Sequence, residues 1–228
     1  MKRAAIILLV LDVLMGLSLF LREDRPGWVA ADAPVENADV TSTELKKIAL
    51  TFDDGPHPTY TEQLLEGLKE RGVVATFFVT GEHAKLHPDV IKRMQEEGHL
   101  IGNHTYSHMQ LTSCNAEKFK EELVATNEVI EEITEEDVLY VRPPYGCWDK
   151  SMEAELNMIP VLWTIDPLDW RSNDANRVAD KIINAAGENE IILMHDYYES
   201  SVTAALKVVD ELQAQGYEFV TVEEILFE

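Results

Sequence analysis

The chain has 228 residues, 46% of them hydrophobic, and a formal net charge of −23 at pH 7. Its length suits one sizeable domain, and its hydrophobic share is ordinary for a folded globular chain. The acidic excess argues against a nucleic-acid backbone as partner, which needs Lys and Arg, and against attraction to anionic lipid.

In chain order, Lys2-Arg3 comes first and an apolar run from Ala4 to Leu21 follows. A run of about 18 residues is at the lower end of a membrane span. A cleaved signal peptide has a shorter core and a small-residue site close behind it. Here "ADA" at 31–33 lies well past Leu21, beyond Arg22, Glu23, Asp24 and Arg25. Residues 1–21 therefore read as a signal anchor ahead of a signal peptide, despite Asp12 inside the run. Lys2-Arg3 predicts an N-terminus inside and a domain outside, extracytoplasmic and either anchored or secreted. Residues 22–45 are polar and without period, as in a linker.

From Lys46 onward, apolar runs alternate with amphipathic ones. Strands are predicted at 47–52, 73–79, 99–103, 139–142, 159–165, 190–194 and 217–222. Helix patterns lie between most of them. "TEQLLEGLKERG" starts on a Thr and ends at Gly72, and "HPDVIKRMQEEG" places Pro88 in its first turn. "NAEKFKEELVATNEVIEEI" follows Asn115 as cap, and "ANRVADKIINAAG" and "SSVTAALKVVDELQAQG" each close on Gly. Strands joined by crossover helices predict a parallel sheet closed into a barrel over residues 46–228, with an open doubly wound sheet as the alternative. Either architecture gathers ligands at the carboxyl ends of the strands.

Those ends carry an unusual set of side chains. The first strand runs into Asp53-Asp54-Gly55-Pro56. Two adjacent carboxylates repel, so something must compensate. The third strand is followed by His104 and His108, the fourth by Arg142 and Tyr145, the fifth by Asp166, Asp169 and Trp170, and the sixth by His195 and Asp196. Two His plus one carboxylate is a metal-binding set with positions left for water or substrate. The pair lacks the Glu of HExxH, which removes the general base of a zinc protease. A divalent cation would take one carboxylate of the Asp pair and leave the other as a base, charge-paired with Arg142. A plain turn would explain Gly55 and Pro56 but not the rim of His and Asp. Asp166 is expected to cap a turn, Asp196 to meet solvent, and His57, His83, His87 and His99 to be surface or structural. Cys114 and Cys147 are either bridged, as an oxidising compartment allows, or two free thiols; their spacing does not show that the Cβ atoms meet.

"TFDDG" at 51–55, "HTYSH" at 104–108, "RPPYG" at 142–146, "DPLDW" at 166–170 and "LMHD" at 193–196 occur in that order. Together they resemble the five motifs of the polysaccharide deacetylases, carbohydrate esterase family 4, also called the NodB homology domain. The resemblance implies a distorted (β/α)7 barrel behind the N-terminal hydrophobic helix. It implies that Asp54, His104 and His108 bind a divalent metal, zinc first, with cobalt, nickel or manganese as alternatives. It makes Asp53 the general base, Arg142 its partner, and the Tyr145 N–H an oxyanion donor. His195 becomes the general acid tuned by Asp169, and Trp170 and Leu193 the walls of an acetyl pocket. The implied reaction is removal of N-acetyl groups from N-acetylglucosamine units of peptidoglycan or chitin oligomers. Some relatives acting on N-acetylmuramic acid carry Asn in place of the second Asp, so Asp54 favours glucosamine units. The alternatives are an acetyl-xylan esterase and an inactive glycan-binding wall module. The expected partner is a polysaccharide, with no nucleic acid, the membrane reached through the N-terminal segment, and a monomeric chain.

Overall fold

The structure, a computed structural model, describes residues 45–227. The expected anchor and the linker up to residue 44 lie outside the described residues. Among the described residues no helix is long and apolar enough to cross a membrane. The elements are β1 Lys46–Asp53, α1 Tyr60–Glu70, β2 Thr76–Val79, α2 Gly81–Leu86, α3 Pro88–Glu96, β3 Leu100–Asn103, α4 Ala116–Thr134, β4 Tyr140–Val141, α5 Ser151–Leu156, β5 Ile159–Pro160, α6 Ala175–Ala185, β6 Glu190–His195, α7 Glu199–Ala214, β7 Tyr217–Val220 and α8 Val222–Leu226.

All pairings are parallel, in the order β5-β4-β3-β2-β1-β6, with β7 also on β1. The sheet is a curled half-barrel rather than seven equal staves. β6 pairs Ile48–Asp53, while β7 takes Lys46–Ala49 and β2 takes Thr51–Asp53. β7 and β2 therefore share one edge of β1. Between β5 and β6 the only β-bridge among the described residues is Ile165 to Ile192, and Thr164 bonds to Ile191 beside it. The reason lies in the predicted strand 159–165, of which only Ile159–Pro160 pairs as β5. Pro160 has no N–H to give, and the carbonyls of Val161 and Leu162 accept from the Arg142 side chain instead of a neighbouring strand.

Side chains alternate across a strand, and that alternation sorts the core. Ile48, Leu50 and Phe52 face the helices and pack with Leu64, Phe77 and Val208. Ala49 joins a smaller cluster with Phe78, Tyr140 and Ile191 on the other face. Asp53 continues the parity of Ala49, and His195 that of Ile191. Both therefore end on the inner face, directly paired in register.

The helix starts differ from expectation in detail. Thr61 lies inside α1 rather than capping it; the first turn is held by His57 Nδ1, which accepts from the N–H groups of Thr59 and Tyr60 at 3.1 Å each. Asn115 precedes α4 without a capping bond, its oxygen being used by Thr112. Residue 222 opens α8 rather than ending the last strand, behind a capping box of Thr221 and Glu224. Cys114 and Cys147 are both free thiols.

Candidate active site

Parallel strands bring Asp53, His104, Arg142 and His195 to one rim, each at or just beyond a strand end. Arg142 is wholly buried. Its Nη1 donates to Asp53 Oδ1 at 2.9 Å and to Thr51 Oγ1 at 2.5 Å. Nε and Nη2 donate to the Val161 and Leu162 carbonyls at 3.1 and 3.2 Å, and the guanidinium lies 4.2 Å over the Phe78 ring. Removal of a guanidinium from water is costly unless such partners replace it. Here the fold supplies them, and Asp53 is the one anion among them.

Asp54 leaves the strand, with φ at +75°. Its Oδ1 lies 3.5 Å from His104 Nε2 and 3.4 Å from His108 Nε2. Burial would raise its pKa, but the nearby imidazoles of His104, His195 and His108 take it down to about 2. The adjacent carboxylates thus have separate compensation, Asp53 from Arg142 and Asp54 from imidazoles.

His104 Nδ1–H donates to the Arg142 carbonyl at 2.6 Å. A carbonyl can only accept, so Nδ1 carries a proton, and in the neutral ring it is the Nε2 lone pair that faces Asp54. His108 adopts φ +57°, and its pKa is lowered by burial against the opposing pull of Asp54. Asp54 Oδ1 is buried without a hydrogen-bond partner. Ligand atoms of Asp54, His104 and His108 lie within 4.8 Å of one another. A buried acceptor without a donor costs about 1–3 kcal/mol. Lone pairs converging on one point suit a cation, and a ligating His held by its other ring nitrogen is the usual metal second shell. The donor set fits a divalent metal.

Across the rim, His195 Nδ1–H donates to Asp169 Oδ1 at 2.9 Å, and its backbone N–H donates to Oδ2 at 2.9 Å. Ser201 Oγ donates to the same Oδ2 at 2.7 Å. Burial would lower the His195 pKa; the bond and charge of Asp169, helped by Asp53 and Asp54, raise it to about 9. Its Nε2 stays free to act on a substrate.

Tyr145 sits at φ +59° in the short turn Pro144–Gly146, exposed, with its ring edge-on to His108 at 5.0 Å. Trp170 is half-exposed in the turn Asp169–Arg171, and Leu193 is buried on β6. Asp166 caps a turn as expected, accepting from the Leu168 N–H at 2.8 Å. Asp196 corrects its expectation: it does not meet solvent but is 1% exposed, and burial raises its pKa to about 7. His83 and Thr51 went unread as site residues. His83 Nδ1–H donates to the Asp54 carbonyl at 2.8 Å, and nothing in its local sequence marks that contact. Thr51 carried a signal, being a hydroxyl on the inner face of an apolar strand.

The sequence model of the polysaccharide deacetylase family matches residues 41–161. A peptidoglycan-N-acetylmuramic acid deacetylase of Bacillus subtilis is 36% identical over 205 residues, covering 90% of this chain and 44% of that protein. The chain therefore spans less than half the length of this curated relative. The solved structure of that peptidoglycan deacetylase matches with a TM-score of 0.77 at 38% identity, over 80% of this chain and 90% of the solved one. A peptidoglycan-N-acetylglucosamine deacetylase of Bacillus cereus is 33% identical over 208 residues, covering 87% of this chain and 76% of its own. A family 4 acetyl xylan esterase from Clostridium thermocellum, solved with a cobalt ion, matches with a TM-score of 0.74 at 31% identity, over 79% of this chain and 90% of its own.

Proposed function

The chain belongs to the polysaccharide deacetylase family, and on that premise we propose that it hydrolyses N-acetyl groups from N-acetylglucosamine units of a wall polysaccharide. The carrying observation is that the acceptors of Asp54, His104 and His108 converge between two carboxylate pairs, Asp53–Arg142 and Asp169–His195. Asp54, His104 and His108 would hold a divalent metal, zinc first. When bound, it supplies Lewis acidity and lowers the pKa of water.

Asp53 takes the proton of the attacking water, oriented by Arg142. The water oxygen bonds to the acetyl carbon, and the C–N bond breaks as His195 gives its proton to the departing nitrogen. An amine must be protonated to leave, so base and acid must be distinct groups. A His195 pKa of about 9 keeps that proton available at neutral pH. The Tyr145 N–H steadies the oxyanion, and Trp170 and Leu193 wall the acetyl methyl. The domain acts outside the cytoplasm, held at the membrane by its N-terminal run or released from it.

Relatives that act on either peptidoglycan sugar match the chain at similar identity, so the choice of glucosamine rests on Asp54. The acetyl xylan esterase relative supports a second reading, cleavage of O-acetyl esters by the same groups. The test is acetate release by the full chain from N-acetylglucosamine oligomers, peptidoglycan and acetylated xylan, with and without chelator. Chelator-sensitive release from the N-acetylated substrates is expected. Release from none of them would overturn the reading in favour of a module that only holds glycan.

A further inference from the structure

Gly55 follows the candidate metal ligand, and its place is explained by an approach rather than by a turn. It is absent from the glycines with positive φ. A Cβ added there would lie 2.3 Å from Asp196 Oδ2 and 2.7 Å from its Cγ, far inside any real contact. The space is filled by the carboxyl of Asp196, the residue next to His195. That carboxyl accepts from the Thr61 hydroxyl, and the same hydroxyl accepts from the His57 N–H at 2.7 Å. Its other oxygen is buried with no hydrogen-bond partner. A group left so costs about 1–3 kcal/mol, so Asp196 is a poor choice for stability alone.

The next residue, Tyr197, acts on the same loop. Its ring stacks on His83 at 5.4 Å and meets His57 edge-on at 4.9 Å, and His83 holds the Asp54 carbonyl. Such a clasp has a purpose here. Asp54 is in the left-handed region, which costs a non-glycine residue roughly 1–2 kcal/mol, and its loop has already left the sheet.

We infer that Asp196 is the positioning residue that seats Asp54, by packing against Gly55 and tying the loop through Thr61. The inference rests on the reading that Asp54, His104 and His108 hold a metal. It links the strand bearing the proton donor to the loop bearing the ligand. The role is one of shape and hydrogen bonding, so an isosteric amide fills it.

The experiment measures Zn2+ affinity of the full chain by competition with a chromophoric chelator, alongside the melting temperature of the metal-free protein. Loss of an outer-shell partner costs about 10–100-fold in metal affinity, and that range is expected for Asp196→Ala. Asp196→Asn should stay within about threefold of wild type on the same reasoning. Gly55→Ala should weaken zinc too, and Gly55→Ala with Asp196→Ala should be no worse than Asp196→Ala, because the clash is gone. If Asp196→Ala does not fold, Thr61→Val carries the test, with weaker zinc binding expected. Wild-type zinc affinity in Asp196→Ala, or in Thr61→Val where that substitutes for it, overturns the inference. So does equal loss in the Ala and Asn variants. A wild-type chain that binds no zinc overturns the metal-site reading beneath it as well.

Discussion

Asp53–Arg142 and Asp169–His195 are both carboxylate–base pairs at strand ends, each bonded at 2.9 Å. They differ in what the base can do. Arg142 is fully buried with backbone carbonyls on two of its nitrogens, and a guanidinium does not give up its proton in a protein. His195 keeps 14% of its side chain exposed, with one ring nitrogen tied and the other free. The first pair holds a permanent cation, Arg142, against Asp53 in the core; the second is a proton reservoir at its edge. Hydrolysis of an amide needs both, a group that stays an acceptor and one that gives a proton away.

The sharpest way to break the contrast is His195→Ala. Removal of a general acid costs about 10²–10⁴-fold, so acetate release from N-acetylglucosamine oligomers should fall in that range. The loss should be smaller on acetylated xylan, whose alkoxide leaving group needs a proton less. Equal losses on amide and ester would show that His195 is not the donor. Arg142→Ala should act on the fold as well as on Asp53. Breaking a buried pair leaves a bare charge and costs about 3–5 kcal/mol, readable in urea unfolding of the full chain. A loss below about 1 kcal/mol, the worth of a surface pair, would mean that water replaces Arg142 and the pair is not structural.

The same contrast separates what was legible in the sequence from what was not. The strand runs, most of the crossover helices and the rim residues are legible, because apolar runs and motif order are local; the short α2, α5 and α8 carry no such pattern. The end of the barrel is not legible. "IPVLWTI" has the composition of a strand, yet the carbonyls of Val161 and Leu162 go to the Arg142 side chain rather than to a neighbouring strand. Asp196 departs from expectation for a related reason: its burial depends on Gly55, on the loop after another strand, and on Thr61, in α1. His83 reads only as surface or structural because its partner is a backbone carbonyl, which leaves no trace in residue type. Contacts between a side chain and a distant backbone were the consistent blind spot.

A smaller effect sharpens the picture of the reservoir. The His195 pKa is raised to about 9 because Asp169 outweighs burial. In the unfolded chain it is about 6.5. The pair's stabilisation is therefore fully present below about pH 6.5 and is lost as pH rises through about 9. Activity should fall over the same alkaline limb. Asp169→Asn should move that limb to lower pH, towards an ordinary imidazole, and flatten the alkaline loss of stability. An unmoved limb would detach His195 from proton donation.

His99 tests the argument from the opposite side, as a buried imidazole with no carboxylate bonded to it. It lies just before β3, 7% exposed, with Nδ1 accepting from the Ala75 N–H at 3.0 Å and its ring edge-on to Phe77. Its Nε2 is buried with no hydrogen-bond partner. Burial takes its pKa down to about 4, the reverse of His195. The folded protein then resists a proton that the unfolded chain accepts. Stability should fall as pH drops from about 6.5 to about 4, and by about 2 kcal/mol between pH 7 and pH 5. His99→Asn can keep an acceptor for Ala75 without a titrating ring. Urea unfolding at the two pH values should show that variant losing about 2 kcal/mol less than wild type. Equal losses would mean that His99 becomes charged within the fold, and that burial without a partnering carboxylate does not set the direction of an imidazole's shift here.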